Sequence, residues 1–389
     1  MLNSAFEPWP SFTQAEADAV SKVLLSNKVN YWTGQECREF EKEFAQFAGT
    51  QYAVAVANGT VALDLALKAL GIGTGDDVIV TSRTFLASAS SIVTAGANPI
   101  FAEVELDSQN ISLRTIEEVL TPNTKAIICV HLAGWMCDMD PIMQLAKEKG
   151  IFVIEDCAQA HGAMYKGKSA GSIGHIGAWS FCQDKIMTTG GEGGMVTTND
   201  ENLWKKMWSY KDHGKNFDSV YNTQHPPGFR WLHDSFGTNW RMMEMQAVIG
   251  RLQLKQMPDW TAKRNAHMAR IQAAFENNPY FTVSKPSADY VHAAYKCYVQ
   301  VNADVLPEGW SRDRIMMEIN AQGVPCFSGS CSEVYLEHAF DDTPWRPKQR
   351  LHNAQQLGEN SLMFLVHPTL SEQSMQKTIA VIRTVISRI

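Results

Sequence analysis

No stretch of this sequence reaches the roughly 18 consecutive apolar residues that a membrane-spanning helix needs, so nothing in it reads as a span. The first residues, Met1-Leu-Asn-Ser-Ala-Phe-Glu7, lack a basic patch followed by an apolar stretch. That argues against a secretory leader and makes the cytoplasm the expected address. Lysine and arginine, 34 against 41 acidic residues, nowhere form a dense run, and the net charge is −7. Neither nucleic acid nor an anionic membrane is an expected partner, and an anionic ligand must be held by a local site. The eight cysteines show no Cys-x-x-Cys spacing, which favours reduced thiols over a disulfide framework or zinc centre, so no metal is expected. Internal repeats and low-complexity segments are absent as well.

What is present is an alternation. After an amphipathic helix expected over 11–25, opened by Ser11 with Ala17, Val20, Val23 and Leu24 as its stripe, comes a loop, 27–34, carrying Tyr31 and Trp32. A second helix, 36–47, follows. Short apolar runs then alternate with helical segments: Ala53 to Ala57, helix 60–70, Val78 to Thr81, helix 86–95, Ile100 to Ala102, helix 113–120. The series continues with Ala126 to His131, helix 139–149, Ile151 to Ile154, Met195 to Thr198 and helix 200–211. Such a pattern predicts an α/β chain with a mostly parallel sheet covered on both faces. Residues 212–236 have no periodicity and form a long loop, of the kind that is usually functional or mobile. Helices over 241–256 and 259–276 come next. With 389 residues, 45% hydrophobic, the chain has material for two domains, an arm and large domain over 1–256 and a smaller one over 257–389.

The chemistry gathers at Ser180-Phe-Cys-Gln-Asp-Lys185-Ile-Met-Thr-Thr-Gly190-Gly-Glu-Gly-Gly194. An apolar run, Ile176 to Phe181, delivers Lys185 into a loop with four glycines in five positions, a place to hold a reactive amine. A lysine can form a Schiff base with a carbonyl substrate or with pyridoxal phosphate. Asp156 ends another apolar run, Ile151 to Ile154, at the carboxyl edge where open α/β sheets keep their ligands. Gly59-Thr60, at the start of helix 60–70, offers backbone N–H groups, a hydroxyl and the positive helix end to a phosphate.

Asn58-Gly-Thr60, Glu155-Asp-Cys-Ala-Gln-Ala-His-Gly162, Ser180 five residues before Lys185, Gly190-Gly-Glu-Gly-Gly194 and Gly237-Thr-Asn239-Trp-Arg241 occur in one order. By these motifs the chain resembles the DegT/DnrJ/EryC1/StrS family, from about Val29 to Leu365-Val-His-Pro-Thr-Leu370. The resemblance implies the type I aspartate aminotransferase fold, a mixed, mostly parallel sheet between helices in a large domain plus a smaller C-terminal α+β domain, and pyridoxal 5'-phosphate as cofactor. It implies Lys185 as the cofactor-linking lysine and proton carrier, where histidine-bearing members act as dehydratases, and Asp156 as partner of the pyridine nitrogen. Gln159 matches the contact to the phenolic oxygen, Ser180 a phosphate ligand beside Gly59 and Thr60, and Phe85 the aromatic packed on the ring; without the resemblance Phe85 reads as core. Asn239 and Arg241 resemble the segment by which a neighbouring subunit reaches the phosphate, which implies a homodimer with shared sites.

The implied reaction moves an amino group from L-glutamate to a nucleoside-diphosphate keto sugar, at C4 of a 4-keto-6-deoxyhexose, for surface polysaccharide or glycoconjugate synthesis. Amination at C3, or a non-catalytic module that retains the cofactor, are the competing readings. Several residues stay open: His161 between core and cofactor contact, Arg241 between phosphate and structural ion pair, Arg83 between substrate anion and neither, Tyr31 and Trp32 between packing and the site. Two departures from the family pattern stand out, Gln183-Asp184 before the lysine and Ser328-Gly-Ser-Cys331; the second lies in a region that can approach substrate and limits any transfer of sugar specificity, though not of reaction type.

Overall fold

The structure is a computed structural model that describes residues 6–389; Met1 to Ala5, part of the leader argument, lie outside the described residues. Its strands in chain order are β1 (Tyr52–Val56), β2 (Asp77–Thr81), β3 (Asn98–Ala102), β4 (Thr124–Val130), β5 (Phe152–Asp156), β6 (Met164–Tyr165), β7 (Lys168–Ser169), β8 (Ile176–Ser180) and β9 (Gly194–Thr198). After these come β10 (Phe281–Thr282), β11 (Tyr290–Val291), β12 (Cys297–Val301), β13 (Cys326–Phe327) and β14 (Ser361–Phe364). Seven form one sheet in the order β1-β9-β8-β5-β4-β2-β3. Only β9 runs against its neighbours, pairing antiparallel with both β1 and β8. Every residue of β2, β8 and β9 is buried, as expected for strands covered on both faces.

The period of two along each strand divides the core. Ile79, Ile127 and Val153 pack on one face of the sheet, and Val78, Val80, Ile128 and Ile154 on the other. Helices α1 (Gln14–Leu25), α2 (Glu36–Ala48), α3 (Gly59–Leu70), α4 (Ala87–Thr94), α5 (Leu113–Glu117), α6 (Met139–Lys149), α7 (Glu201–Tyr210), α8 (Phe217–Tyr221) and α9 (Glu244–Leu254) surround or adjoin it. The four-stranded antiparallel sheet β10-β12-β14-β13 carries a separate core of Ile271, Phe275, Val299, Phe364 and Ile382. These residues come from its own strands, from α10 (Met257–Phe275) and, after α11 (Arg312–Ala321) and α12 (His352–Asn360), from α13 (Glu372–Ile386).

Differences from the sequence expectations have local causes. Helix α1 begins at Gln14, because the Thr13 hydroxyl accepts from the Glu16 N–H while the Glu16 carboxylate accepts the Thr13 N–H. Of its expected stripe only Val23 is buried, and Leu24 is exposed. Helix α5 stops at Glu117, three residues short of the expectation, in a turn that leads to Thr121-Pro122. Helix α10 starts two residues early, with Pro258 in its first turn, where a missing N–H costs nothing. Helix α9 starts three residues late because Asn239 and Arg241 are taken into β-bridges with Asp212 and Val56. The 212–236 loop contains α8 and a bridge between Lys215 and His233, and it exposes Phe229, Trp231 and Phe236.

Candidate active site

Five strand ends converge on one cavity of about 550 Å³, within the roughly 300–1,000 Å³ typical of small-molecule sites. Asn58 to Thr60 follow β1, Thr84 and Phe85 follow β2, Val130 ends β4, Asp156 to Gln159 close β5, and Ser180 to Lys185 follow β8.

At the β1 corner, Asn58 caps α3 by accepting the Val61 N–H on its side-chain oxygen at 3.0 Å. The N–H groups that open the helix therefore point outward without intrahelical partners. Gly59 is required by closeness: a Cβ there would lie 2.6 Å from the Ser180 Cβ. A Cβ on Gly194 would lie 2.3 Å from the Asn58 carbonyl oxygen, so β9 also enters the corner without a side chain. Across it the Ser180 hydroxyl accepts the Cys182 N–H at 3.3 Å, which leaves its own O–H to donate. The result is a compact anion cradle of backbone N–H groups and two hydroxyls, Thr60 and Ser180.

Asp156 is almost fully buried yet well supplied with donors. Its Oδ2 accepts the Ser88 hydroxyl at 2.7 Å and its Oδ1 the Ala158 N–H at 3.1 Å. Its neighbour Glu155 serves another purpose. It accepts N–H groups from Gly171, Ile173 and Gly174 and meets the His131 ring at 2.9 Å. His131, Glu155 and Cys157 bring potential ligand atoms within 4.8 Å of one another. The Glu155 oxygens and both His131 nitrogens are nevertheless engaged, the second by the Cys137 N–H, so the cluster acts as a hydrogen-bonded floor. Gln159 gives its side-chain oxygen to the Ala133 N–H at 2.7 Å, so its amide NH2 is the group left for the cavity.

Lys185 reaches the cavity from the glycine loop, with its side chain 16% exposed. The Trp9 indole donates to its backbone carbonyl at 2.7 Å, its Nζ lies 3.7 Å from Asp184 Oδ1, and the Tyr295 ring centroid is 5.4 Å away. Phe85 is 70% exposed and lines the cavity, so the core position it would have without the family resemblance is corrected: the turn after β2 turns its ring outward.

Gly59, Thr60, Phe85, Asp156, Gln159, Ser180 and Lys185 are thus brought together; Asn239 and Arg241 do not line this cavity. Asn239 is exposed, and the Arg241 guanidinium pairs at 2.7 Å with Asp212 of its own chain. His161 is buried against Trp179 and Phe181, and burial, with Lys185 and Arg264 nearby, pushes its ring down to about 3, so it is neutral core. Arg83 is wholly buried too, donating to Gln109 at 2.9 Å and Ser361 at 3.2 Å, and it ties the β2 turn to the smaller sheet. Its guanidinium also reaches the Ser330 carbonyl, and the Thr84 N–H donates to the Cys331 carbonyl at 3.1 Å, so the β2 turn meets the departing Ser328–Cys331 stretch at two points. Tyr31 packs in the core, its hydroxyl 3.1 Å from Glu41. Ser88, Trp9 and Tyr295 were not singled out in the sequence. Ser88 lies one turn after Phe85, while Trp9 and Tyr295 carry no local signal at all.

The profile of the DegT/DnrJ/EryC1/StrS aminotransferase family matches residues 10–383. The chain is 42% identical over 287 residues to the GDP-perosamine synthase of Escherichia coli O157:H7, covering 73% of this chain and 74% of that protein. Over 354 residues it is 36% identical to the GDP-perosamine synthase of Caulobacter vibrioides, covering 90% and 89%. Among solved structures, the aminotransferase from Psychrobacter cryohalolentis is similar at 65% identity with a TM-score of 0.98 over 99% of both chains.

Proposed function

This chain belongs to the DegT/DnrJ/EryC1/StrS aminotransferase family, and from that premise we propose that it carries the amino group of L-glutamate to C4 of a nucleoside-diphosphate-linked 4-keto-6-deoxyhexose. The product serves surface polysaccharide or glycoconjugate synthesis in the cytoplasm. The chain is a pyridoxal phosphate-dependent transaminase of nucleotide sugars, with the type I fold. The donor, the carbon, the compartment and the residue roles are our reading.

The residues fit the cofactor. A cradle that a single Cβ at Gly59 would fill suits a phosphate, a buried and hydrogen-bonded carboxylate suits a protonated ring nitrogen, and an amine stands in the same cavity. When bound, pyridoxal phosphate supplies an electron sink for the bond-breaking at the substrate carbon. Asp156 would partner the ring nitrogen, and the Ser88 hydroxyl and Ala158 N–H hold its two oxygens in place. The α3 N–H groups, Thr60 and Ser180 would hold the phosphate, the Gln159 amide would donate to the phenolic oxygen, and Phe85 would pack on the ring. Lys185 would hold the cofactor, and its amine would serve as the base that moves a proton to or from the substrate carbon. Asn239 and Arg241 of a second copy complete the phosphate site, which makes the working unit a two-fold dimer. Their position outside their own cavity, and the exposed Phe229, Trp231 and Phe236, support that assembly.

The observation that carries the reading is the single cavity shared by Lys185, Asp156 and the α3 N-terminus. The test is a panel of keto sugars linked to UDP, dTDP or GDP, incubated with glutamate and followed by mass for replacement of oxygen by amine. The reading expects a 4-amino product from at least one member. A 3-amino product would overturn the carbon assignment, and no amination with glutamate would overturn the donor.

A further inference from the structure

The chain ahead of α1 does more than lead into it. Residues 6–8 are bound to the elements of the smaller sheet: Phe6 packs on its core, the Ser374 hydroxyl of α13 donates to Glu7 Oε2 at 2.7 Å, and the Thr369 hydroxyl donates to the Pro8 carbonyl at 2.9 Å. Trp9 then turns to the larger sheet, where its indole N–H donates to the Lys185 carbonyl at 2.7 Å. The ring that carries this donor is held on several sides. Trp260 meets it edge-on with centroids 5.1 Å apart, His367 stacks on it at 6.0 Å, and the Arg264 guanidinium carbon lies 4.8 Å from it. Arg264 is buried and its Nε and Nη2 have no hydrogen-bond partner, so the cation rests against the indole face instead.

On the other side of this contact, the backbone of Lys185 is fixed at both of its peptide groups. Its N–H donates to the Cys182 carbonyl at 3.1 Å, which closes a turn, and its carbonyl takes the Trp9 N–H. Farther along the same loop the Thr188 N–H donates to Gln253 on α9 at 2.8 Å, and the Gln253 amide donates to Glu16 on α1 at 2.9 Å. Gln253 and Glu16 are both buried. Segment 9–16 therefore meets the lysine loop directly at Lys185 and, through Gln253, at Thr188. A further contact, the Tyr295 hydroxyl to Asp184 Oδ2 at 2.5 Å, holds a side chain and leaves the backbone to Trp9.

A lysine side chain is a flexible four-carbon stem, so the place of its amine depends on where the stem begins. We propose that Trp9 is a positioning residue for Lys185: its indole N–H fixes the peptide at the base of the stem, and the arm that carries it ties that peptide to the smaller sheet. Trp9 does not line the cavity, so it acts through the lysine's backbone. A misplacement of a reacting group by about 1 Å can cost roughly a hundredfold in rate, which gives one hydrogen bond at the base of the stem leverage over turnover. The inference rests on Lys185 being the cofactor-linking lysine and is independent of which sugar is used.

The experiment reads the lysine loop directly. The full chain, freed of cofactor, is compared by hydrogen exchange and mass with Trp9→Phe, which keeps a ring against Trp260 and removes the donor. Amides of the peptide spanning 182–191 should exchange about fivefold faster, as the loss of one ordinary hydrogen bond predicts, while α10 and α13 keep wild-type rates. A second variant guards against lost packing: benzothienylalanine at position 9, a tryptophan with sulfur in place of the N–H, should give the same rise confined to the loop. Thr369→Val, which loosens the arm and keeps the indole, should give a smaller one. In the holoenzyme, Trp9→Phe should lower kcat about tenfold with KM for the amino donor unchanged. Wild-type exchange over 182–191 in both position-9 variants would overturn the proposal. So would a rise spread equally through α10 and α13 in the sulfur analogue, or an unchanged kcat beside a loosened loop, since each leaves Trp9 as packing alone. Because exchange needs neither cofactor nor turnover, failure of the sugar panel and failure of this inference are separate results.

Discussion

At the scale of single residues, the reading turns on two side chains of opposite charge that meet one cavity from different strands. On the proposed reading Lys185→Ala removes the amine that links the cofactor, and it enlarges the cavity without burying a new polar group. The variant should therefore fold normally by circular dichroism, lack the absorbance band of the lysine-linked cofactor and show no turnover. Near-wild-type turnover would rule the lysine out. Asp156→Asn keeps the size and the contacts available to Ser88 but replaces an anion by a neutral amide. It should still bind cofactor and lose on the order of a hundredfold or more in kcat, the range seen when one preorganised charge-stabilising group is removed. An unchanged rate would leave Asp156 as a turn cap that merely accepts the Ser88 and Ala158 hydrogens. Both residues were legible from their place at the end of apolar runs. Tyr295 was not, because its contact with Asp184 spans 111 positions and neither neighbourhood signals the other.

At the scale of elements, the corner between β1, α3 and β8 shows why the glycine comes where it does. Asn58-Gly59-Thr60 by itself is a turn followed by a cap. The packing of Ser180 against Gly59 draws it into the proposed phosphate cradle, since a Cβ would come within 2.6 Å of the Ser180 Cβ and 3.1 Å of its Cα. Gly59→Ala should therefore displace Ser180, costing about 1–3 kcal/mol as overpacking does. Cofactor affinity should fall, by roughly tenfold if one charge-assisted hydrogen bond to the phosphate, worth about 1.5 kcal/mol or more, is lost. Cofactor titration by absorbance and thermal melting check the two parts separately. Wild-type affinity in a folded variant would mean that the phosphate is bound elsewhere. The glycine loop after Lys185 has the same logic: β9 can lie beside the Asn58 carbonyl only because Gly194 has no side chain.

At the scale of the whole molecule, Asn239 and Arg241 decide the argument. Within one chain they lie next to β1 but outside the cavity, Arg241 held by the buried Asp212. If they serve a second copy, activity depends on association. Mixing Lys185→Ala with the double variant Asn239→Ala, Arg241→Ala after mild dissociation puts both defects into one site of each heterodimer and leaves its other site intact. Random reassortment should restore activity toward roughly a quarter of wild type, half the dimers being mixed with one good site each. If the double variant alone is inactive, reassortment is verified and the mixture stays dead, the two residues act within their own chain.

What the sequence determined by itself is whatever depends on neighbours in the chain. The alternation of strands and helices, the sheet's burial on both faces, Lys185 in its glycine loop, Asp156 at a strand end and the Asn58 cap all follow from periodicity and local hydrogen bonding. So does the resemblance to the family whose profile covers residues 10–383. Only the tertiary structure decided that β9 is the one reversed strand of the large sheet, that Arg83 and His161 are buried away from the cavity, and that Trp9, 176 residues from Lys185, holds that lysine's carbonyl. These are contacts between segments far apart in the chain. A side chain's partner across such a distance is selected by sheet order and packing, and neither leaves a trace in the residues on its two sides.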